Sequence, residues 1–190
     1  MRGGANHKPM IPTVEECLDL MVRYQMRDNI RAHSLVVERV AREISRGLRE
    51  AGVPLSLRKV AAGALMHDIA KTACLGTGGD HAAKGAEICL RHHFDDIAEI
   101  VGEHVRLRNY QPQGAICEKE IVYYADKRVN HDRIVSLDER LDYLLQRYGR
   151  NEARLCRLIG DNFELCRKVE KKLFAKLSFR PEDLVGQVGG

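Results

Sequence analysis

The chain has 190 residues, a formal net charge of +4, 44% hydrophobic residues, 5% aromatics and no Trp. That length suits one ordinary domain with its own core, and an aliphatic-rich, aromatic-poor composition favours helix packing over a β-sandwich. The charge is mild and Lys and Arg are interspersed with Asp and Glu, so nucleic acid is not an implied partner, while a phosphate-containing small molecule remains compatible with the local field of a pocket.

Residues 1–12 read as a flexible tail. Thr13 and Glu16 form a capping box that starts a first helix to about Met26. A second helix runs from about Asn29 to Ala51 and stops at Gly52-Val53-Pro54. Ser56 can cap a third, through about Met66, whose segment Ala61 to Met66 carries no charge and is expected to be the most deeply buried part of the protein. A Gly-rich stretch from Gly76 to Gly79 cannot continue a regular helix, and Asp80 caps the next one, over about residues 81–92.

Asp95 or Asp96 starts a helix toward His104. Residues 105–116 form a loop, and a helix covers about Glu118 to Val129. Ser136 and Glu139 make a second capping box for a helix from Leu137 to about Gly149. A long amphipathic segment follows, with Leu155, Ile159, Cys166, Val169, Leu173 and Leu177 on one stripe and Gly160 as a point where it can bend or divide. Residues 181–190 read as a flexible C-terminus. No repeat, composition shift or strand-like alternation is visible, so the expected fold is all-α: one bundle-like helical domain over residues 13–180 with an amphipathic helical segment at its C-terminal side.

Six cysteines form no CxxC pair, and Cys17, Cys89 and Cys166 sit among apolar helix-patterned residues, as expected of a reduced, cytoplasmic protein. No apolar run is long enough to span a bilayer, and the first ten residues lack the hydrophobic segment of a secretory signal.

Chemistry emerges where polar residues fall on apolar stripes. His33 lies on the stripe Ile30, Val37, Val40, Ile44, Leu48. Asp68, preceded by His67, follows the uncharged third helix. His104 follows Ile97, Ile100 and Val101, and Asp126 shares a face with Val122, Ala125 and Val129. A carboxylate in such surroundings must be protonated, paired with a cation or bound to metal. Two carboxylates and several imidazoles from different helices supply the mixed nitrogen and oxygen donors that suit Fe, Mn, Co, Ni or Zn.

These residues resemble the HD-domain phosphohydrolases, whose pattern is a His, a His-Asp doublet and a distant Asp. His33 stands in RAHSLVVERVA, His67 and Asp68 in ALMHDIAK, and Asp126 in VYYADKRV. His81, in DHAAKGAEI, and His104, in IVGEHV, look like the added histidines of members with two metals, although His81 also suits a surface position or a phosphate contact. The likeness covers about residues 29–130 and is nearest to compact bacterial members. Ala70 departs from the common His-Asp-Ile-Gly form, and the Gly-Tyr-Pro motif of cyclic dinucleotide phosphodiesterases is absent.

The resemblance implies a metal-dependent phosphohydrolase acting on a phosphomonoester or phosphodiester, of a nucleotide or dinucleotide, with one or two divalent transition-metal ions. Metal ligands would be His33, His67, Asp68 and Asp126, joined by His81 and His104. Asp68 would orient the attacking water. Lys71, three residues later on nearly the same face, would bind phosphate or neutralise Asp68. Lys127, Arg128 and Arg133 are further candidate phosphate contacts, although each reads at least as well as part of a solvated charged face. His92 and His93, near a helix C-terminus, suit the helix dipole. A second doublet, His131 and Asp132, lies in a polar stretch and reads as a surface loop. A non-catalytic nucleotide- or metal-binding sensor is the alternative in another class, and oligomeric state is not legible.

Overall fold

The computed structural model describes residues 10–149 and 152–188. Helix α1 (Val14–Arg23) starts from the anticipated box, with Glu16 N donating to Thr13 Oγ1 at 3.2 Å and Thr13 N to Glu16 Oε2 at 2.7 Å. It stops short of the expected Met26 because Gln25 turns left-handed at φ 51°, which folds Met26 back into the core. Helix α2 (Asp28–Glu50) buries Ile30, His33, Val37, Val40, Ile44 and Leu48 along one stripe and ends ahead of Gly52, at φ 83°.

Helix α3 (Leu57–Met66) is capped by Ser56 and buries Val60 and then Ala62 through Met66. It packs against α2 on one side. A turn carrying His67 and Asp68 leads to the single-turn α4 (Lys71–Cys74). The Gly-rich segment then turns through Gly76 and Gly78, both at positive φ, and Asp80 caps α5 (His81–Arg91) by accepting from Ala82 N and Ala83 N. Helix α6 (Asp95–Glu103) lies against α5 and α3, and α7 (Glu118–Lys127) against α2, α3 and α6. Helix α7 is buried at least as fully as α3, since Ile121 through Ala125 are all inaccessible.

The sequence predicts no strand, yet Val129–Asn130 (β1) and Arg133–Ile134 (β2) pair as a minimal antiparallel hairpin, with Val129 opposite Ile134. Two-residue segments carry too little alternation to register as a pattern. Helix α8 (Leu137–Tyr148) begins at the predicted Ser136–Glu139 box. Helix α9 (Ala153–Phe174) runs without interruption through Gly160, because the buried stripe Phe163, Cys166, Val169, Leu173 continues beyond it.

Two tyrosines of α7 fasten α9 to the core: Tyr123 Oη donates to Asn162 O at 2.8 Å and Tyr124 Oη to Glu170 Oε2 at 2.6 Å. Instead of a flexible end beyond residue 180, Pro181–Asp183 form a 3-10 turn and Leu184–Val188 a short helix, α10, that contacts α2. Leu184 is the fully buried anchor of that segment. No described helix is long and apolar enough to cross a membrane.

Candidate metal centre

Six side chains from separate elements converge at one end of the α2, α3, α6, α7 core. Helix α2 supplies His33, and α7 supplies Asp126. His67 is the C-cap of α3 and Asp68 follows it; His81 opens α5; His104 is the C-cap of α6. The last carbonyls of a helix lack intrahelical donors. Both C-cap histidines answer this in the same way: His67 Nδ1 donates to Ala64 O at 2.6 Å and His104 Nδ1 to Val101 O at 2.7 Å. His33 Nδ1 likewise donates to His131 O at 2.8 Å. Since a carbonyl can only accept, each Nδ1 carries a proton, and in the neutral ring each Nε2 presents a lone pair.

Those Nε2 atoms face carboxylates. His81 Nε2 and His104 Nε2 lie 3.3 and 3.4 Å from Asp68 Oδ1, and 3.3 Å from each other. His67 Nε2 lies 3.4 Å from Asp68 Oδ2 and 3.7 Å from Asp126 Oδ1, while His33 Nε2 is 3.0 Å from Asp126 Oδ1. His67 Nε2 and Asp68 Oδ1 are buried with no hydrogen-bond partner. Burial pushes the His104 imidazole down to about 4, overriding the opposing pull of Asp68, so at neutral pH its Nε2 cannot donate. The Asp68 Oδ1 oxygen and the His104 Nε2 lone pair thus face each other at 3.4 Å, an arrangement that favours a cation between them.

The charges report the same need. Burial opposes ionisation of Asp68, but His67, His104 and His81 outweigh it and hold the carboxyl well below the usual range. Asp126 is also held well below it, burial being outweighed by Lys127, His33 and His67. Burial works against a proton on His67, yet Asp68 and Asp126 raise its affinity for one. Two ligand groups are formed among the described residues, His33–His67–Asp68 and Asp68–His81–His104, and Asp68 is common to both. All their donors are imidazole nitrogen or carboxylate oxygen, which fits a borderline divalent ion without thiolate.

Lys71 Nζ donates to Asp68 Oδ2 at 2.7 Å and its side chain is 36% exposed, at the wall of a cavity of about 280 Å³ that also reaches His33, Asp68 and His131. Burial disfavours its ammonium, but Asp68 and Asp126 raise its proton affinity.

Arg128 does not reach this cavity. It is buried on another side, where Nε donates to Val135 O at 2.7 Å, Nη2 to Pro181 O at 3.0 Å and Nη1 to Tyr124 Oη, so its guanidinium ties α7 to the hairpin and the C-terminal turn. Arg133 is exposed on β2 and does not line the cavity. Lys127 is no solvated charge either: its buried ammonium donates to His104 O and to Asp126 Oδ2, at 3.2 Å, and sits 4.1 Å from the Tyr123 ring centroid. It therefore supports two predicted ligands at once. His92 is the C-cap of α5, with Nε2 3.0 Å from Tyr24 Oη, apart from the cluster.

The second doublet is the exposed turn that its surface-loop reading expects, yet it also serves the cluster. His131 is exposed, but its carbonyl fixes the tautomer of His33, and it adopts a left-handed φ of 55° to close the two-residue hairpin turn. A backbone acceptor leaves no side-chain signal in a sequence. The cavity also has a wall unforeseen from the sequence, formed by Arg27 and by α8, which bears Arg140, Tyr143 and Arg147.

The HD domain family model matches residues 30–131. Similar curated proteins include the tRNA (cytidine(56)-2'-O)-methyltransferases of Picrophilus torridus, 33% identical over 147 residues, and Thermoplasma volcanium, 30% over 148 residues; each match takes in 70% of this chain but only 40% and 41% of those proteins. An uncharacterized protein of Methanocaldococcus jannaschii is 26% identical over 153 residues, 73% of this chain and 88% of that protein. These relatives are archaeal, so a likeness to bacterial members finds no support among them. No solved structure matches.

Proposed function

The chain belongs to the HD domain family, and on that footing we propose that it is a metal-dependent phosphohydrolase that cleaves a phosphomonoester or phosphodiester bond of a nucleotide-like small molecule. The observation that carries this reading is the buried convergence of imidazole lone pairs on Asp68, with His67 Nε2 and Asp68 Oδ1 left unpartnered.

His33, His67, Asp68 and Asp126 would hold one ion and Asp68, His81 and His104 a second, with one oxygen of Asp68 directed to each side. Bound divalent ions of this kind lower the pKa of water and polarise a phosphoryl oxygen. The remaining work falls to the chain. Asp68 orients the attacking water through a carboxylate that stays ionised. Lys71 remains an ammonium at the cavity wall, where its donors not engaged by Asp68 can meet a phosphoryl oxygen and stabilise charge that grows during displacement. Lys127 holds Asp126 ionised and in place, and the carbonyls of Ala64, Val101 and His131 keep three imidazoles in the tautomer that offers Nε2.

Two relatives are named as tRNA methyltransferases, but this chain spans about two fifths of their length. Its described residues form helices and one minimal hairpin, with the polar site devoted to convergent His and Asp. We therefore do not carry the methyltransferase activity of those proteins over to this chain.

The test is turnover of phosphomonoesters, cyclic nucleotides and dinucleoside polyphosphates after chelation and reloading with Mn, Fe, Co, Ni or Zn. Activity should vanish with chelator, return with at least one metal, and be abolished in Asp68→Asn while circular dichroism stays unchanged. Lys71→Ala should lose about 10²-fold or more in kcat/KM, as removal of one charge-stabilising donor does elsewhere. Bound nucleotide without turnover under every metal would replace the enzyme with a binding module.

A further inference from the structure

Helix α8 does not spend its whole inward face on the core. Arg140, Tyr143, Leu144, Arg147 and Tyr148 fall at i, i+3, i+4, i+7 and i+8, one helical stripe, and all five line the cavity beside Asp68. With Arg27 and Lys71 the wall holds four cationic side chains, and the only acid lining the cavity is Asp68, already engaged by the imidazole cluster and Lys71. Arg140 Nη1 donates to Asn130 Oδ1 at 2.7 Å, which aims the guanidinium, while its Nε is buried with no partner. A buried guanidinium donor without an acceptor is an unsatisfied site for an incoming oxygen. Arg147, one residue before the end of α8, is exposed.

A single phosphate at the cluster meets Lys71 and leaves three arginines unneutralised. The arginine fork matches phosphate geometry and draws a second anionic group toward the α8 side. Tyr148, 54% exposed, offers a ring face beside these charges, and a cavity of about 280 Å³ suits a small ligand. We propose that α8 is the specificity wall of the site, and that its substrate is a nucleotide-sized molecule bearing a second phosphate, gripped by Arg140 and Arg147, besides the phosphate presented to the cluster. This rests on Asp68 marking the phosphate-cleaving end of the cavity. The second phosphate can sit on another hydroxyl or extend a phosphate chain; the chemistry at the wall is the same.

Calorimetry should compare adenosine 5'-monophosphate, adenosine 3',5'-bisphosphate and adenosine 5'-diphosphate, first with chelator so that no turnover intervenes and then with Mn²⁺. One of the doubly phosphorylated ligands is expected to bind about tenfold tighter or more than the monophosphate, the scale of a hydrogen bond to a charged group. Which one does so tells where the second phosphate lies. Arg147→Gln and Arg140→Gln should each remove most of that gain and leave monophosphate affinity nearly unchanged, and Arg91→Gln, at an exposed position of α5 that does not line the cavity, should remove none. Equal affinity for all three ligands, or equal loss for all three in the arginine variants, would overturn the proposal. A preference that persists without hydrolysis under any metal would sink the enzymatic reading alone; hydrolysis without preference would sink the α8 wall alone.

Discussion

His104 shows how a helix can prepare a candidate ligand. At the C-terminus of α6 its Nδ1 takes the carbonyl of Val101, and burial keeps the ring neutral down to about 4. In the metal-stripped protein an NMR titration should therefore find the His104 ring neutral, protonated on Nδ1, well below pH 6; titration near the ordinary value of 6.5 would contradict this. The sign for stability follows: between about 4 and 6.5 the unfolded chain binds the proton that the native ring refuses, so this residue favours folding above 6.5 and its contribution is lost as pH falls through that window. Polarity on an apolar stripe made His33, His104 and Asp126 legible in the sequence, because a side chain's face follows from spacing alone. The carbonyl of His131 and the buried ammonium of Lys127 were not legible: the first is backbone, common to every residue, and the second follows Asp126 in a charged run that reads equally well as solvated.

At the scale of elements, the geometry depends on how closely α3 and α6 approach, since each ends in a candidate ligand. Gly63 is the contact point: a Cβ there would lie 2.6 Å from Ile100 Cγ2 and 3.2 Å from Ile100 Cβ. Alanine would raise helix propensity by about 1 kcal/mol, but overpacking against a branched side chain on a buried helix costs about 1–3 kcal/mol. The clash should prevail. Gly63→Ala is expected to lower Tm by a few degrees, at about 2–4 °C per kcal/mol for a chain of this size, and to weaken metal retention by moving His104 relative to Asp68. An unchanged Tm together with unchanged metal affinity would show that the two helices are not held at that distance by packing. Caps made most of these elements readable, through Thr13, Ser56, Asp80 and Ser136. The cavity-lining face of α8 was not, because its Arg and Tyr stripe has the look of a solvated helix surface until the fold sets it beside Asp68.

For the molecule as a whole, the motif-bearing helices form a core that α9 and α10 clasp from outside, through Tyr123, Tyr124, Arg128 and the buried Leu184. The all-helical architecture followed from composition and periodicity, whereas the docked C-terminal turn did not: a short segment with one anchoring Leu, in a stretch ending in glycines, carries little periodic signal. Among the described residues this scaffold brings carboxylates and imidazoles together in two overlapping ligand groups, and both are centred on Asp68. The most direct test is the metal content of protein purified without chelator, measured beside Asp68→Ala and His104→Ala. The account predicts up to two transition-metal ions per chain in the native protein, retention of the His33–His67 ion alone in His104→Ala, and loss of both in Asp68→Ala. A native protein free of transition metal, or an Asp68→Ala variant that keeps its full complement, would contradict it.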